Sequence, residues 1–312
     1  MPSPANPNPA STSPASTGPV NAVSPNASNP AGDFVLVLDC PDRPGIVHAV
    51  SGFLLERGGN ILESQQFGDT DTGRFFMRID FVTEGTVPVE RLRSEFLEVA
   101  GQFGMRFVLW DSKAPYRTLI MVSKHLHCLN DLLFRHSTGA LQIDIPVVVS
   151  NHPDAEAMVR SYGLDFAHVP VTPDTKPAAE AELLRLVKEH DVDLVVLARY
   201  MQVLSDDLCR ELSGKAINIH HSFLPSFKGA KPYHQAYDRG VKLVGATAHY
   251  VTADLDEGPI IEQDVIRVDH NHTQDQLVAA GRDVEAQVLS RAVRWHSESR
   301  VLLDGNRTVV FR

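Results

Sequence analysis

PAAEAELLRLVKEHDVDLVVLARY, residues 177–200, contains a helix pattern that leads directly into the pattern of a buried strand. In residues 177–190 leucine and valine recur at helical spacing among charged residues, whereas residues 192–200 hold a short, almost continuous apolar run. Such a run is typical of a strand that is covered on both faces, as the strands of parallel sheets are. The stretch therefore predicts one helix-and-strand unit of a layered α/β fold.

The same alternation continues on both sides of this stretch. Apolar strand patterns precede it at 117–123 and 144–151, and another follows it at 216–220, with helix patterns between them. Strands that alternate with helices favour a mostly parallel sheet, because each helix carries the chain back across the sheet to begin the next strand.

The pattern changes after residue 240. Segments 241–252 and 259–268 are longer and indicate late strands that can run antiparallel. Thr273 and Gln276 then have the spacing of a capping box at the start of a long terminal helix. Residues 117–312 are thus predicted to form one domain, with a mostly parallel sheet and helices on both faces.

The region before this domain has a different periodicity. Residues 34–40 and 105–111 read as strands, and residues 42–60 as a turn followed by an amphipathic helix. Two alternating segments flank the turn DTDTG at 69–73, which indicates a hairpin, and a second helix pattern follows it. The order βαββαβ over residues 33–112 predicts a ferredoxin-like domain with a four-stranded antiparallel sheet.

The two predicted domains are joined by a linker at 113–116 and preceded by a tail at 1–32. The tail holds 8 of the 20 prolines and no charged side chain. Such a segment cannot bury enough apolar surface to offset the entropy lost on ordering, so it is predicted to be disordered.

Composition and charge exclude several classes of function. The formal net charge is −10, which argues against binding to nucleic acid, and no apolar run has the roughly 18 residues of a membrane span. The three cysteines are widely spaced and form no C-x-x-C pair. Neither disulfides nor a zinc knuckle is expected, and a reducing, cytoplasmic location is predicted.

The strand pattern at 216–220 ends in chemically useful side chains. Asn218 and His220 are two residues apart, so both point to the same face of a strand. Ligand sites of parallel sheets lie at the carboxyl ends of the strands. The later turn holds Asp254, Asp256 and Glu257, any of which could return a carboxylate to the imidazole. An Asn-His-Asp set can polarise a carbonyl group and move a proton, although asparagine and histidine at strand ends often only satisfy backbone groups.

INIHHSFLPSFKGAKPYHQAYDRGVKLVGATAHYVTADLDEGPIIEQDV, residues 217–265, closely resembles the formyltetrahydrofolate-dependent formyltransferases, and within them the hydrolytic, deformylase branch. The resemblance runs from about 117 to 298. It implies a Rossmann-like formyltransferase domain that hydrolyses 10-formyltetrahydrofolate to tetrahydrofolate and formate, with no cofactor. It places the catalytic residues on Asn218, His220 and Asp256. It also implies folate contacts from the loops at Met201, Gln202, Val203 and Leu204 and at Val251, Thr252, Ala253 and Asp254.

Two other functions stay open for this domain. One is formyl transfer to an amine such as glycinamide ribonucleotide, which the resemblance associates with a glycine-rich phosphate turn after the first strand. Here no glycine lies between Ser123 and Arg135, and residues 125–128 are bulky, which favours water as the acceptor. The other is folate binding without turnover, which a complete Asn-His-Asp set disfavours.

Histidine pairs raise the question of a metal site. His125 with His127 and His270 with His272 have a spacing that two ligands could use. No third ligand is evident in the sequence for either pair, so no metal is predicted.

DCPDRPGIVHAVSGFLLERGGNI, residues 39–61, resembles the start of ACT domains, which are small-ligand regulatory modules. The resemblance implies an amino-acid effector, and it implies a homodimer or homotetramer because ACT sheets usually pair. The alternative is that the domain only pairs subunits. The residues implied for the effector are Asp42, Arg43, Pro44, Gly45, Ile46, Asn60 and Ile61.

Overall fold

The computed structural model describes residues 32–225 and 232–312. The predicted disordered tail lies outside these residues, apart from Gly32, and so does the loop segment 226–231. Gly32 pairs with Thr83 in the first strand, so the predicted end of the tail at residue 32 is one residue too late. None of the helices in the described residues is both long enough and apolar enough to cross a membrane.

The N-terminal region forms a four-stranded sheet with two helices. Its elements are β1 (Gly32–Pro41), α1 (Ile46–Glu56), β2 (Gly59–Asp69), β3 (Arg74–Thr83), α2 (Val89–Phe103) and β4 (Arg106–Asp111). The strands lie in the order β2-β3-β1-β4, and every neighbouring pair is antiparallel. Phe53 of α1 and Phe96 of α2 meet edge to face, with centroids 5.0 Å apart, over the core that covers one face of the sheet. The predicted ferredoxin-like fold is confirmed.

The C-terminal region is built on a larger sheet. Its elements are β5 (Tyr116–Val122), α3 (His127–Ser137), β6 (Ile143–Asp144), β7 (Val148–Ser150), a 3-10 turn (Pro153–Ala155), α4 (Glu156–Ser161), β8 (Phe166–His168), α5 (Lys176–Glu189), β9 (Leu194–Leu197), α6 (Asp206–Glu211), β10 (Ala216–His220), α7 (Pro232–Asp238), β11 (Leu243–Tyr250), β12 (Ile260–Arg267) and α8 (Gln274–Ser297). The strand order is β12-β11-β10-β9-β5-β7-β8. The five strands from β10 to β8 are parallel, whereas β11 and β12 are antiparallel, as the sequence predicted.

The two faces of this sheet carry separate apolar cores. Along β5, Ile120 and Val122 are buried with residues of α3 and α8, whereas Leu119 and Met121 are buried with residues of α5 and α6. We call these the α8 face and the α6 face. Because successive residues of a strand alternate between faces, these memberships show which way each side chain of a strand points.

A short hairpin after α8 was not predicted. Its strands are β13 (Val301–Asp304) and β14 (Arg307–Val310). Leu302 and Phe311 pack on the sheet face of the N-terminal region that its helices leave open, in one buried cluster with Phe76. Arg78 of β3 is buried and donates a hydrogen bond to the carbonyl of Glu298 at the end of α8, at 3.3 Å. The C-terminus therefore joins the two regions directly.

Candidate active site

β10 presents two polar side chains at its carboxyl end. Ile217 and Ile219 belong to the core of the α8 face, so Asn218 and His220 point toward the α6 face. His220 is the last residue of the strand and is only 9% exposed. Asn218 pairs with Leu197 of the parallel strand β9 on one side and with His249 of the antiparallel strand β11 on the other. The sheet therefore fixes both backbones where ligand sites of this fold class lie.

The turn after β11 brings a carboxylate to this strand end. Asp256 has a φ of 58°, in the left-handed region that aspartate and asparagine tolerate better than most residues. At Gly258 an added Cβ would collide with the carbonyl oxygen of Tyr250, so only glycine permits this close return of the chain. The result is a contact of 3.1 Å between Asp256 Oδ1 and His220 Nδ1.

His249 is a functional candidate that the sequence interpretation missed. It is 2% exposed, and its Nδ1 lies 2.9 Å from the Tyr250 carbonyl oxygen, which can only accept a hydrogen bond. In a neutral ring Nε2 is then an acceptor, and the Asn218 amide donates to it at 3.3 Å. The same Nε2 lies 3.7 Å from Asp256 Oδ1. His249 thus orients the Asn218 amide and lies beside the Asp256 carboxylate. Had the sequence interpretation paired segment 241–252 with the strand at 216–220, His249 would have been placed beside Asn218.

The electrostatics of the site keep the carboxylate charged. Burial raises the pKa of Asp256, but the hydrogen bond from His220 and the nearby His249 outweigh burial and hold this pKa well below its usual range. With Nδ1 of His220 engaged by Asp256, Nε2 is the ring nitrogen left for chemistry. That atom is buried and has no hydrogen-bond partner among the described residues. A base that is oriented from behind by a carboxylate is the arrangement that proton transfer requires.

A cavity of about 670 Å³ opens over these side chains. Asn218, His220 and Asp256 line it together, so the structure brings the predicted catalytic set into one site. Of the residues predicted to contact folate, seven line the cavity, and Asp254 does not. Asp254 instead accepts a hydrogen bond from Thr252 through its carbonyl oxygen, at 3.0 Å, while Leu255 takes its place in the lining. The seven are Met201, Gln202, Val203, Leu204, Val251, Thr252 and Ala253.

A buried ionic cluster occupies another part of the same cavity lining. Glu285 of α8 is 1% exposed and lies 2.8 Å from His127 Nε2 and 3.2 Å from Arg199 Nε. Tyr233 donates a hydrogen bond to the same carboxylate at 2.6 Å. Burial raises the pKa of Glu285, but these partners outweigh burial and lower the pKa below its usual range. No sequence pattern pointed to Glu285, because it lies inside a long helix.

The structure adds ligand atoms beside one of the histidine pairs. His127, Cys128 and Glu285 place one ligand atom each within 4.8 Å of one another, the kind of set that the sequence did not show. Glu285 is already held by Arg199 and Tyr233. Burial raises the pKa of the Cys128 thiol well above its usual value, which disfavours the thiolate that a metal needs. That this chain needs no metal stays a prediction.

The residues predicted to bind an effector fall into two separate groups. Asp42 to Ile46 follow β1, and Gly45 begins α1 with a φ of 98°. Asn60 and Ile61 lie at the start of β2. Asn60 is opposite Val82 of β3, and Val82 is in turn opposite Asp33. Asn60 therefore lies at the end of the sheet where β1 begins, whereas Asp42 follows the end of β1. Asp33 and Asp42 are nine residues apart, which is about 30 Å along a strand. One small ligand therefore cannot contact both groups of a single chain, because the groups lie at opposite ends of the sheet, and the effector site stays a prediction. The members of the first group are Asp42, Arg43, Pro44, Gly45 and Ile46.

Comparison with known proteins identifies both regions. Residues 116–293 match the model of the formyl transferase family, and residues 34–97 match that of the ACT domain. A formyltetrahydrofolate deformylase from Corynebacterium sp. (strain P-1) is 58% identical, over 89% of this chain and 98% of that protein. One from Bacillus subtilis is 49% identical, over 88% of this chain and 93% of that protein.

Solved structures separate the deformylases from the transferases. A formyltetrahydrofolate deformylase from Pseudomonas syringae superposes with a TM-score of 0.87 at 50% identity, covering 90% of this chain and 94% of its own. A glycinamide ribonucleotide transformylase from Symbiobacterium toebii gives a TM-score of 0.59 at 30% identity, covering 64% of this chain and 95% of its own. The resemblance found in residues 217–265 is confirmed. The chain has an ACT domain followed by a Rossmann-like formyltransferase domain, and it is 58% identical to a deformylase over 89% of its length. These findings show that the chain belongs to the formyltetrahydrofolate deformylase family.

Proposed function

We propose that this chain hydrolyses 10-formyltetrahydrofolate to tetrahydrofolate and formate, with residues 117–312 as the catalytic domain. The observation that carries the proposal is the 3.1 Å contact between Asp256 and His220, in a cavity where Nε2 of His220 has no partner among the described residues. The names of the relatives agree with this reaction.

Water is the nucleophile in this mechanism. His220 Nε2 accepts a proton from the water as its oxygen attacks the formyl carbon, while Asp256 accepts the hydrogen bond from Nδ1 and stabilises the imidazolium that forms. The new C–O bond gives a tetrahedral adduct. Cleavage of the bond from carbon to N10 then releases formic acid as the proton held by His220 passes to N10, and the acid gives its remaining proton to solvent to become formate. Atoms and charge balance without any further reactant.

Asn218 stabilises the charge that develops on the formyl oxygen. One N–H of its amide is directed to His249, which leaves the other for the substrate. Such a donor typically accounts for about 10²–10³ in rate. Because His249 is buried and fixed by the Tyr250 carbonyl, the amide is oriented before substrate arrives.

The two loops that line the cavity hold the folate. Residues 201–204 follow β9 and residues 251–253 follow β11, and both lie beside the catalytic strand β10. Met201 is held by a hydrogen bond from its backbone N–H to Ser123 Oγ, at 2.9 Å. Backbone groups of such fixed loops are suited to the edge of a flat, polar heterocycle.

Transfer to an amine is not favoured. The three deformylases named above cover 88–90% of this chain, whereas the transformylase covers 64%. The direct test is turnover of purified protein with 10-formyltetrahydrofolate and no amine. One formate for each tetrahydrofolate supports hydrolysis. Turnover only after addition of glycinamide ribonucleotide would identify a transferase, and binding without turnover would identify a folate-binding protein.

The cellular role follows from the products. Free formate can supply one-carbon units for purine biosynthesis, and tetrahydrofolate returns to the one-carbon pool. The reaction needs only water and the side chains named above, so no cofactor is involved. We place it in the cytoplasm, where reduced folates are used.

The N-terminal domain, residues 33–112, regulates this activity by binding an amino acid such as glycine or methionine. Its two predicted ligand groups, Asp42 to Ile46 and Asn60 with Ile61, lie about 30 Å apart along the sheet. One small ligand can contact both only when two chains contribute, which favours a homodimer or homotetramer. Titration calorimetry of the full chain should show binding that Asn60→Ala weakens, and light scattering should show a dimer or larger. A monomer that binds no amino acid would contradict the proposal.

A further inference from the structure

The loop at residues 201–204, which we call the folate loop, keeps apolar side chains in the open. Met201 is 53% exposed and Val203 is 58% exposed, and both line the catalytic cavity. Leu204, in contrast, is buried in the core of the α6 face. Apolar surface in water costs free energy, so a loop that was free to rearrange would turn more of it inward. Contacts from outside the loop must therefore hold its backbone in place.

The first end of the folate loop is fixed to the end of β5. The backbone N–H of Ser123 donates a hydrogen bond to the Arg199 carbonyl at 3.3 Å, and Ser123 Oγ accepts one from the Met201 N–H at 2.9 Å. The same hydroxyl donates to Asn151 Oδ1 at 2.7 Å. Both Ser123 and Asn151 are buried, so this anchor is part of the rigid sheet edge.

The second end of the folate loop is fixed to α5. Glu180 accepts one hydrogen bond from the backbone N–H of Ser205, at 2.9 Å, and its other carboxylate oxygen accepts one from the Ser205 hydroxyl. The same hydroxyl caps α6 by accepting a hydrogen bond from the Leu208 N–H, at 3.3 Å. The cap needs the serine alone, so capping does not account for a carboxylate that grips this residue twice. Hydrogen bonds to an ionised acceptor are about twice as strong as neutral ones.

We propose that Glu180 is a positioning residue, which acts through Ser205 to hold the folate loop in the conformation that binds folate. The inference rests on the proposed function, which assigns folate to this loop. Glu180 does not line the catalytic cavity, so its effect on folate is indirect. With one end held by Ser123 and the other by Glu180, the backbone of the loop is in place before substrate arrives. Binding then does not have to order it, which favours affinity.

The kinetic consequence is confined to binding. Glu180→Ala leaves the N–H and hydroxyl of Ser205 without their acceptor and frees one end of the folate loop. If the competent loop conformation is then populated about one tenth of the time, affinity falls by about tenfold. The loop contacts the same folate in the ground state and in the transition state. KM for 10-formyltetrahydrofolate and Kd for tetrahydrofolate should therefore rise together by about tenfold, with kcat nearly unchanged.

The experiment compares wild type, Glu180→Ala, Glu180→Gln and Glu182→Ala, all in the full chain. Tetrahydrofolate binding is titrated by fluorescence, and kcat and KM are taken from formate release. Glutamine can keep both contacts, because its carbonyl oxygen accepts from the Ser205 N–H and its amide donates to the hydroxyl, so Glu180→Gln should stay near wild type. Glu182→Ala is the matched control on the same helix, because Glu182 is 39% exposed and bonds to Arg185.

Amide hydrogen exchange of wild type without folate tests the same proposal independently of activity. The peptide that spans residues 199–208 should be protected before folate is added, and Glu180→Ala should lose this protection. Rapid exchange in wild type that folate alone slows would overturn the proposal, and this result decides it even where a variant does not fold. An unchanged Kd in a folded Glu180→Ala, or a fall in kcat without a rise in KM, would overturn it as well. Absence of formate release from wild type would instead count against the proposed function.

Discussion

Asp256→Asn is the perturbation that probes the catalytic geometry most cleanly. Asparagine has almost the same volume as aspartate and tolerates the left-handed backbone at this position, where φ is 58°. The contact of 3.1 Å with His220 Nδ1 can persist as a neutral hydrogen bond. The substitution therefore removes the negative charge and leaves the turn in place, whereas alanine would add backbone strain.

The magnitude follows from the distance. Two unit charges 3.1 Å apart attract by about 5 kcal/mol at an effective dielectric constant of about 20. The carboxylate is 25% exposed, and screening by solvent leaves roughly half of this, about 3 kcal/mol. In the proposed mechanism the imidazolium forms as the water loses its proton, so this energy belongs to the transition state. A loss of about 3 kcal/mol lowers kcat by about 10²-fold and leaves KM nearly unchanged.

The assay is steady-state formate release from 10-formyltetrahydrofolate, with folate binding measured separately by fluorescence. Asp254→Asn is the matched control, because Asp254 lies two residues away and does not line the cavity. It should retain wild-type kcat and KM. Near wild-type turnover of Asp256→Asn, or an equal loss in Asp254→Asn, would refute the role assigned to the carboxylate.

Three further outcomes are expected. Asn218→Ala should lower kcat by about 10²–10³ with folate binding retained, and a change confined to KM would contradict the oxyanion role. Gly258→Ala should destabilise the chain by about 1–3 kcal/mol in denaturant unfolding and reduce activity as well, because the added Cβ meets the Tyr250 carbonyl. Burial, with Arg199 nearby, lowers the pKa of His221 to about 4. The unfolded chain then binds a proton at this residue below about pH 6.5 and the folded chain does not, so the free energy of unfolding should fall as pH drops from about 6.5 to 4. Replacement by Gln should flatten this slope, and an unchanged slope would argue against a neutral, buried His221.

Much of the fold was predictable because hydrophobic periodicity records which faces are buried. The continuous run at 192–200 predicted a parallel strand and the longer segment 241–252 predicted a late antiparallel one, and β9 and β11 are such strands. The hairpin of β13 and β14 was missed because its strands have four residues each, too few for a periodic signal, and its burial comes from the distant β3.

The candidate site likewise contains residues that the sequence showed and residues that it could not show. Asn218 and His220 were found because residues two apart on one strand point to the same face, which does not depend on how the rest of the chain packs. Glu285 and Arg199 could not be found, because only tertiary packing brings α8 to the end of β9. The distance between the two effector groups could not be predicted for a related reason. A sequence motif does not show that β1 and β2 run in the same direction, which places Asp42 and Asn60 at opposite ends of the sheet.

The central claim is that His220 and Asp256 activate water for attack on the formyl group. Turnover in water enriched in ¹⁸O, without amine and followed by mass spectrometry of formate, tests it most directly. The mechanism predicts that wild type places one oxygen from the solvent in every formate released, and that His220→Ala loses this turnover while still binding folate. Formate without solvent oxygen, or undiminished labelled formate from His220→Ala, would contradict it.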